Sequence, residues 1–254
     1  MLLGYRRYAF QIPNSKFQIP NSVTARLVSP TRVSLIAVAA SGCVVAFTIA
    51  FLLSRYESLP WLLPVHFKPN GFPSGWQYKT VARVLMPVFV QLALVITLGG
   101  VALLLLSRSD GAQSGDTPDA RAAAVAAEAV LLLTFIWVAF QAYAAVALTS
   151  MWARERAGLT WYGPFEIVGV ALTLAVSIRA RFKLGRPDPR PFVAEHWRFG
   201  QLYRNPNDPA LFVPTRSGDR WTLNFGRPVA AALMGVILLV GCLAPTVILV
   251  LLLR

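Results

Sequence analysis

Five times along the chain the polar positions drop out for close to twenty residues, at 33–53, 84–106, 122–148, 164–180 and 228–253. Runs of that length are too long for strands and match the ~20 residues a helix needs to cross the ~30 Å hydrocarbon layer of a bilayer. The fourth run is the shortest. It starts near Glu166 and ends in Arg179, Arg181 and Lys183, so as a span it depends on packing by its neighbours. Ahead of the third run, Thr117 is a candidate N-cap, Pro118 suits the first helical position and Asp119 sits at the positive end of the helix dipole, which starts that helix outside the lipid. The pattern predicts an all-α membrane protein of five transmembrane helices with a small cytoplasmic module able to hold a β-hairpin.

The polar stretches divide the chain into a tail (1–32), a two-span unit with an outer loop (33–106), the third and fourth helices (107–183), a basic module (184–228) and a fifth helix (229–254). In the tail, FQIPNS at 10–15 recurs at 17–22 with a proline in each copy, which prevents a continuous helix. It reads as disordered, or as translated repetitive DNA upstream of the true start. Composition agrees with the runs. Of 254 residues 56% are hydrophobic and 14% charged, against ~25% charged in a soluble domain. Cys43 and Cys242 both fall inside apolar runs, where they read as packing residues and build neither a disulfide scaffold nor a zinc site.

Sidedness follows from the 24 Lys and Arg residues, because basic residues near helix ends are retained in the cytoplasm. Most fall before the first run, between the second and third, and between the fourth and fifth, the last connection alone carrying Arg186, Arg190, Arg198, Arg204, Arg216, Arg220 and Arg227. The expected location is the bacterial cytoplasmic (inner) membrane, with the N-terminus inside and the C-terminus outside.

The loop after the first run reads LPWLLPVHFKPNGFPSGW over 59–76. Its four prolines bar a regular helix, while Asn70-Gly71 and Ser74-Gly75 suit tight turns. Trp61, Phe67, Phe72, Trp76 and Tyr78 suit the headgroup layer. His66 has two readings: a hydrogen-bonded residue fixing a turn, which is the commoner case, or a contact to a ligand. The string, with its flanks from about 34 to 86, resembles the membrane domain of SdpI-type proteins, the immunity family against a sporulation-delaying peptide toxin. The resemblance implies a multi-pass bacterial protein that responds to a membrane-active peptide, with Pro64, His66, Phe67, Asn70, Gly71 and Trp76 as ligand-binding candidates.

In the basic module, Asn205-Pro206 and Asp208-Pro209 mark turns, and 211–213 and 220–225 alternate as two short pairing strands. So short a segment cannot bury a core of its own, and its aromatics need the ends of the spans to cover them. Its charge would attract an anionic inner leaflet at ~1 kcal/mol per basic residue. Nucleic acid is not expected as a partner, since ordinary positive-inside topology gives the same bias. The order Trp197, Tyr-x-Asn-Pro-x-Asp-Pro, Val-Pro, Trp-Thr-x-Asn-Phe-Gly over about 197–228 resembles a second short domain of unknown function. Trp197, Tyr203, Asn205, Pro206, Asp208, Pro209, Trp221 and Asn224 are the partner-binding candidates for a cytoplasmic protein.

Within the spans, Glu128, Gln91 and Gln141 are the polar candidates. Glu128 reads first as a helix-end carboxylate near water or a cation such as Arg121. Ala231 and Gly235 form a small-residue close-packing pair. The HExxH, GxSxG and phosphate-loop patterns are absent, and His66 and His196 fall on opposite sides. The expectation is a non-enzymatic binding or signalling protein without metal or cofactor; a small transporter, or an accessory subunit of a transport complex, is the alternative.

Overall fold

The computed structural model describes residues 26–108, 118–155, 162–187 and 190–238. The FQIPNS repeat, Thr117 and the second half of the fifth apolar run lie outside the described residues. The fold is mostly helical. A short strand β1 (Arg26–Leu27) leads into α1 (Arg32–Tyr56); a ribbon of β2 (Leu62–Phe67) and β3 (Pro73–Tyr78) follows, then the turn α2 (Val81–Val84), α3 (Met86–Leu106) and β4 (Ser107–Arg108). After these come α4 (Pro118–Arg154), α5 (Tyr162–Leu184), the two-stranded ladders β5 (Trp197–Arg198) with β6 (Leu202–Tyr203) and β7 (Phe212–Pro214) with β8 (Trp221–Leu223), and α6 (Pro228–Leu238).

Three helices, Arg32–Tyr56, Met86–Leu106 and Asp119–Arg154, are long and apolar enough to cross a membrane. Four of the predicted runs and the described start of the fifth fall on helices, though α5 is not among those three and α6 is described only to Leu238. The third helix is much longer than the run 122–148. At 1.5 Å per residue, α4 measures ~55 Å, so about half of it overhangs a ~30 Å core. Pro118 does occupy its first position, and Asp119 its first turn.

α4 is the central post. It runs parallel to α1: Thr31 at the start of α1 reaches Glu128, and Trp152 near the end of α4 shares a core cluster with Leu52. α3 runs back antiparallel to both and packs along α4, with Leu105 and Leu106 against Ala127 and Leu131 at one end and Val88, with Val84 of α2, beside Trp152 at the other. α5 packs antiparallel on α4, stacking Phe165 on Tyr143 at 4.1 Å between ring centroids. Most of its apolar side chains point away from the protein, including Ile167, Val170, Leu174 and Phe182. Cys43 is likewise exposed, on α1, rather than packed in the core. Ala231 and Gly235 also face outward, while Ala230 and Leu233 of the same helix turn in.

The two segments that drew attention in the sequence sit at opposite ends of this bundle. The β2–β3 ribbon caps the end where α1 and α4 finish, through Leu59 and Leu63 in the Leu52–Trp152 cluster. The module caps the other end: Leu211 is buried with Leu105, Leu106, Ala127 and Leu233, and Phe212, Leu223 and Phe225 pack against them. Residues 211–213 and 220–225 pair as expected, Phe212 with Leu223 and Pro214 with Trp221.

Candidate functional site

The loop after the first run is an antiparallel ribbon, where the prolines barred only a regular helix. A two-stranded ribbon has no inner strand, so Pro64 and Pro73 can turn their missing N–H sides outward, the one place a strand accepts proline. The turn is made at Asn70-Gly71, as expected: Gly71 adopts φ 83° and donates to Lys68 O at 2.8 Å, and Asn70 Oδ1 accepts from the Phe72 amide at 3.2 Å. Ser74-Gly75 is not a turn. Gly75 stands opposite His66 across the ribbon, beside register irregularities on both sides of His66. A Cβ on Gly75 would lie 2.8 Å from His66 Cδ2, so glycine is there because the imidazole lies over it.

His66 is therefore a strand residue rather than a turn residue; it is exposed, and its imidazole makes no hydrogen bond to another described residue. Trp76 and Phe72 are half exposed beside it, Phe67 is half-buried, and Trp61 meets Tyr78 edge-on at 6.3 Å. Pro64 is buried, next to Leu63, which joins the ribbon to the core cluster. The ribbon thus presents an imidazole and several aromatic faces to whatever surrounds it.

In the module, the motif residues build a hydrogen-bonded knot. Asn224 is wholly buried and uses every polar atom of its side chain. Its Oδ1 accepts from the amides of Asn205 (3.0 Å) and Gly226 (2.9 Å), and its Nδ2 donates to the carbonyls of Asn205 (2.8 Å), Asp208 (3.1 Å) and Ala210 (3.2 Å). Asn205 Oδ1 accepts from Asn207 N–H, and Asp208 accepts from the Ala210 amide, the Tyr203 hydroxyl and Arg190. Burial, followed by the neighbouring Asp208 charge, raises the Tyr203 pKa, so the phenol stays protonated as a donor. Gly226 allows no side chain, since a Cβ would fall within 2.6 Å of Pro206 N. The two halves of the motif are two sides of one loop closure.

Two bonds fasten the knot to the bundle. Asp119 Oδ1 accepts from the Phe212 amide at 2.6 Å, and Trp221 Nε1 donates to Leu184 O at the end of α5 at 3.2 Å. Pro206 and Pro209 stay exposed at its edge. Facing outward is a cleft of two adjoining hollows, about 240 and 570 Å3, which share Trp197, Thr215 and Arg216. Trp197 meets Tyr203 edge-on at 5.4 Å, and the Arg216 guanidinium lies 4.7 Å over the Phe192 ring. Arg216 and Phe192 were not among the sequence candidates, because only folding brings them together.

Between the module and the spans lies a buried ionic cluster. Glu128, 1% exposed, accepts from the Thr31 hydroxyl at 2.6 Å, from Lys183 Nζ at 2.9 Å and from Arg179. Its partners are on α1 and α5, not Arg121, which lies two turns away on its own helix. Arg179 and Lys183 are spaced i, i+4 on one face of α5, a signal that was readable in the sequence. Thr31 also caps α1, accepting from Ser34 N–H at 3.1 Å. Deeper in, Gln91 is fully buried and joins three helices, donating to Thr48 Oγ1 of α1 at 3.0 Å and Val138 O of α4 at 2.9 Å; its Oε1 has no partner among the described residues. Gln141 is half-buried on α4, and its side chain makes no hydrogen bond to another described residue.

Residues 206–230, from the proline of the first half-motif through the second half-motif into α6, match a family of unknown function (DUF5808). No curated protein and no solved structure matches the chain. The matched stretch holds Asp208, Asn224 and Gly226 of the knot and its attachment to α6, while Tyr203 and Asn205 lie just before it. The ribbon, for which an SdpI-type resemblance was drawn, carries no such match.

Proposed function

We propose that the protein is a non-enzymatic, multi-pass membrane protein of the bacterial inner membrane, in which the ribbon senses a peptide or lipid outside and the module reports to a cytoplasmic partner. In this reading α5 and α6 complete five spans, the N-terminus lies inside and the C-terminus outside. One observation carries it: the two motif-bearing segments cap opposite ends of one bundle, and α1 and α4 run unbroken from one to the other. A displacement of the ribbon has a direct packed route through Leu52 and Trp152 to the end of α4 that holds Phe212. The exposed imidazole and aromatic edges of the ribbon suit contact with an amphipathic peptide, as in the immunity proteins it resembles.

The reading is tested on protein reconstituted into vesicles, with an environment-sensitive dye on a cysteine introduced at Ser217. A cationic amphipathic peptide added on the ribbon side is expected to shift the dye emission, and His66→Ala to abolish the shift without loss of insertion. An unresponsive parent protein would overturn the coupling. The orphan Gln91 Oε1 favours a second reading, a small transporter or accessory subunit, since a buried free acceptor suits a passing cation or water. Against it, Glu128 and the Gln91 partner Val138 are ten residues apart on α4, ~15 Å, with buried Leu131 and Thr134 between them. Ion flux lost in Gln91→Leu would restore the transporter.

A further inference from the structure

The basic end of α5 points in two directions. Arg179 and Lys183 turn in to Glu128. Arg181 stands between them in sequence, ~200° round the helix from each at ~100° per residue, and so turns away from α4. It falls beside an apolar stripe of Val170, Leu174, Ile178 and Phe182, spaced four residues apart and all exposed. The stripe is ~18 Å long, close to half of a ~30 Å hydrocarbon core. Where it ends, Gly185 takes φ 59° just past the helix, a left-handed conformation that glycine adopts without strain. Arg186 follows, and it lines a hollow of about 490 Å3 with Arg181, Phe182, Asp219, Arg220 and Trp221. The indole of Trp221 ties the two sides together, since its Nε1 donates to Leu184 O at 3.2 Å. The charge in this hollow is one-sided. Three arginines face a single carboxylate, Asp219, which already accepts from Ser217 and Thr215 and lies 3.6 Å from Arg220 Nε. Arg181 and Arg186 are exposed and have no anionic partner among the described residues.

We infer that this hollow seats the phosphate of an anionic phospholipid from the module-side leaflet, with its acyl chains along the 170–182 stripe. The inference rests on the proposed reading of α5 as a membrane span, which puts the stripe in hydrocarbon and the hollow at headgroup level. Guanidinium groups match phosphate oxygens with a planar fork of donors. Uncompensated arginines call for an anion and the stripe calls for a hydrocarbon chain, and an anionic phospholipid is one molecule that carries both. A choline headgroup brings a cation of its own and so answers the arginines less well. An acidic peptide would answer the arginines and leave the stripe uncovered.

The test uses the full chain, delipidated in detergent and incubated with dioleoylphosphatidylglycerol or dioleoylphosphatidylcholine, with bound lipid read by native mass spectrometry. The parent protein is expected to retain the anionic lipid about fivefold more than the zwitterionic one. Arg181→Gln with Arg186→Gln breaks no ion pair among the described residues, and should cut retention of the anionic lipid about tenfold at unchanged thermal midpoint. Arg198→Gln with Arg204→Gln removes the same charge from exposed positions of the module outside the hollow, and should leave retention as it was. An excess of inorganic phosphate should leave the lipid bound. Equal retention of the two lipids by the parent, or full retention in the Arg181 and Arg186 variant, would overturn the site. An equal fall in both double variants would overturn it in favour of diffuse attraction to the whole module, and complete displacement by inorganic phosphate in favour of a phosphate site that takes no chain. Extraction of the chain from vesicles by alkaline carbonate would overturn it differently, by removing the membrane reading beneath it.

Discussion

At the scale of single residues, the polar side chains that stood out in the sequence divide by what they touch. Asn224 makes five side-chain hydrogen bonds within the module. Removing it strands several buried backbone groups, each worth ~1–3 kcal/mol, so Asn224→Ala should destabilise the module by roughly 3–5 kcal/mol, measured by hydrogen exchange of the 203–226 amides. Asn224→Asp should not rescue it, since a carboxylate cannot donate to the three carbonyls. Glu128 shows a different asymmetry. It is buried, whereas the side chains of Arg179 and Lys183 are 41% and 43% exposed and can turn to water if the carboxylate is lost. Glu128→Ala should therefore cost only ~1–2 kcal/mol, and the pair Arg179→Ala with Lys183→Ala, which strands a buried anion, several kcal/mol. Equal losses in thermal unfolding of the two variants would contradict this ordering.

Among elements, the ribbon and the β7–β8 hairpin differ in what holds them. The ribbon depends on close approach at Gly75: Gly75→Ala should displace His66 and loosen the ribbon, seen as faster exchange at Trp76 and Gln77, while leaving the helices intact. In the β7–β8 turn the Asp219 carboxylate accepts from the hydroxyls of Ser217 and Thr215, which hold its pKa below the usual carboxylate range. A depressed pKa means the contribution is present above the unfolded carboxylate pKa and is lost as pH falls through the folded one. The protection of the Gly218 and Arg220 amides, measured as exchange relative to the intrinsic rate at each pH, should fall on acidification, and Asp219→Asn should remove that pH dependence. The elements also show what a linear reading leaves out. Alternation of Trp221, Leu223 and Phe225 was enough to expect β8, but the prolines of 60–73 hid β2 and β3, because proline is excluded only from inner strands and the sequence does not state that the ribbon has none.

For the whole molecule, the central prediction is sidedness: cysteines at Ser74 and Ser217, both exposed, should react with impermeant reagents from opposite faces of a vesicle. Labelling of both from one face would end the five-span reading. Helix positions were legible in advance because a bilayer imposes a length and a hydropathy on every segment that crosses it, properties that belong to the chain one stretch at a time. The module's hairpin and its need for cover were legible for the same local reason, a short alternating segment with more aromatics than it can bury. What only the tertiary structure decided is who meets whom: Thr31, Arg179 and Lys183 around Glu128, and Asp119 on Phe212. Those pairings join residues up to about a hundred positions apart, and periodicity carries no record of which faces of distant helices are turned toward one another.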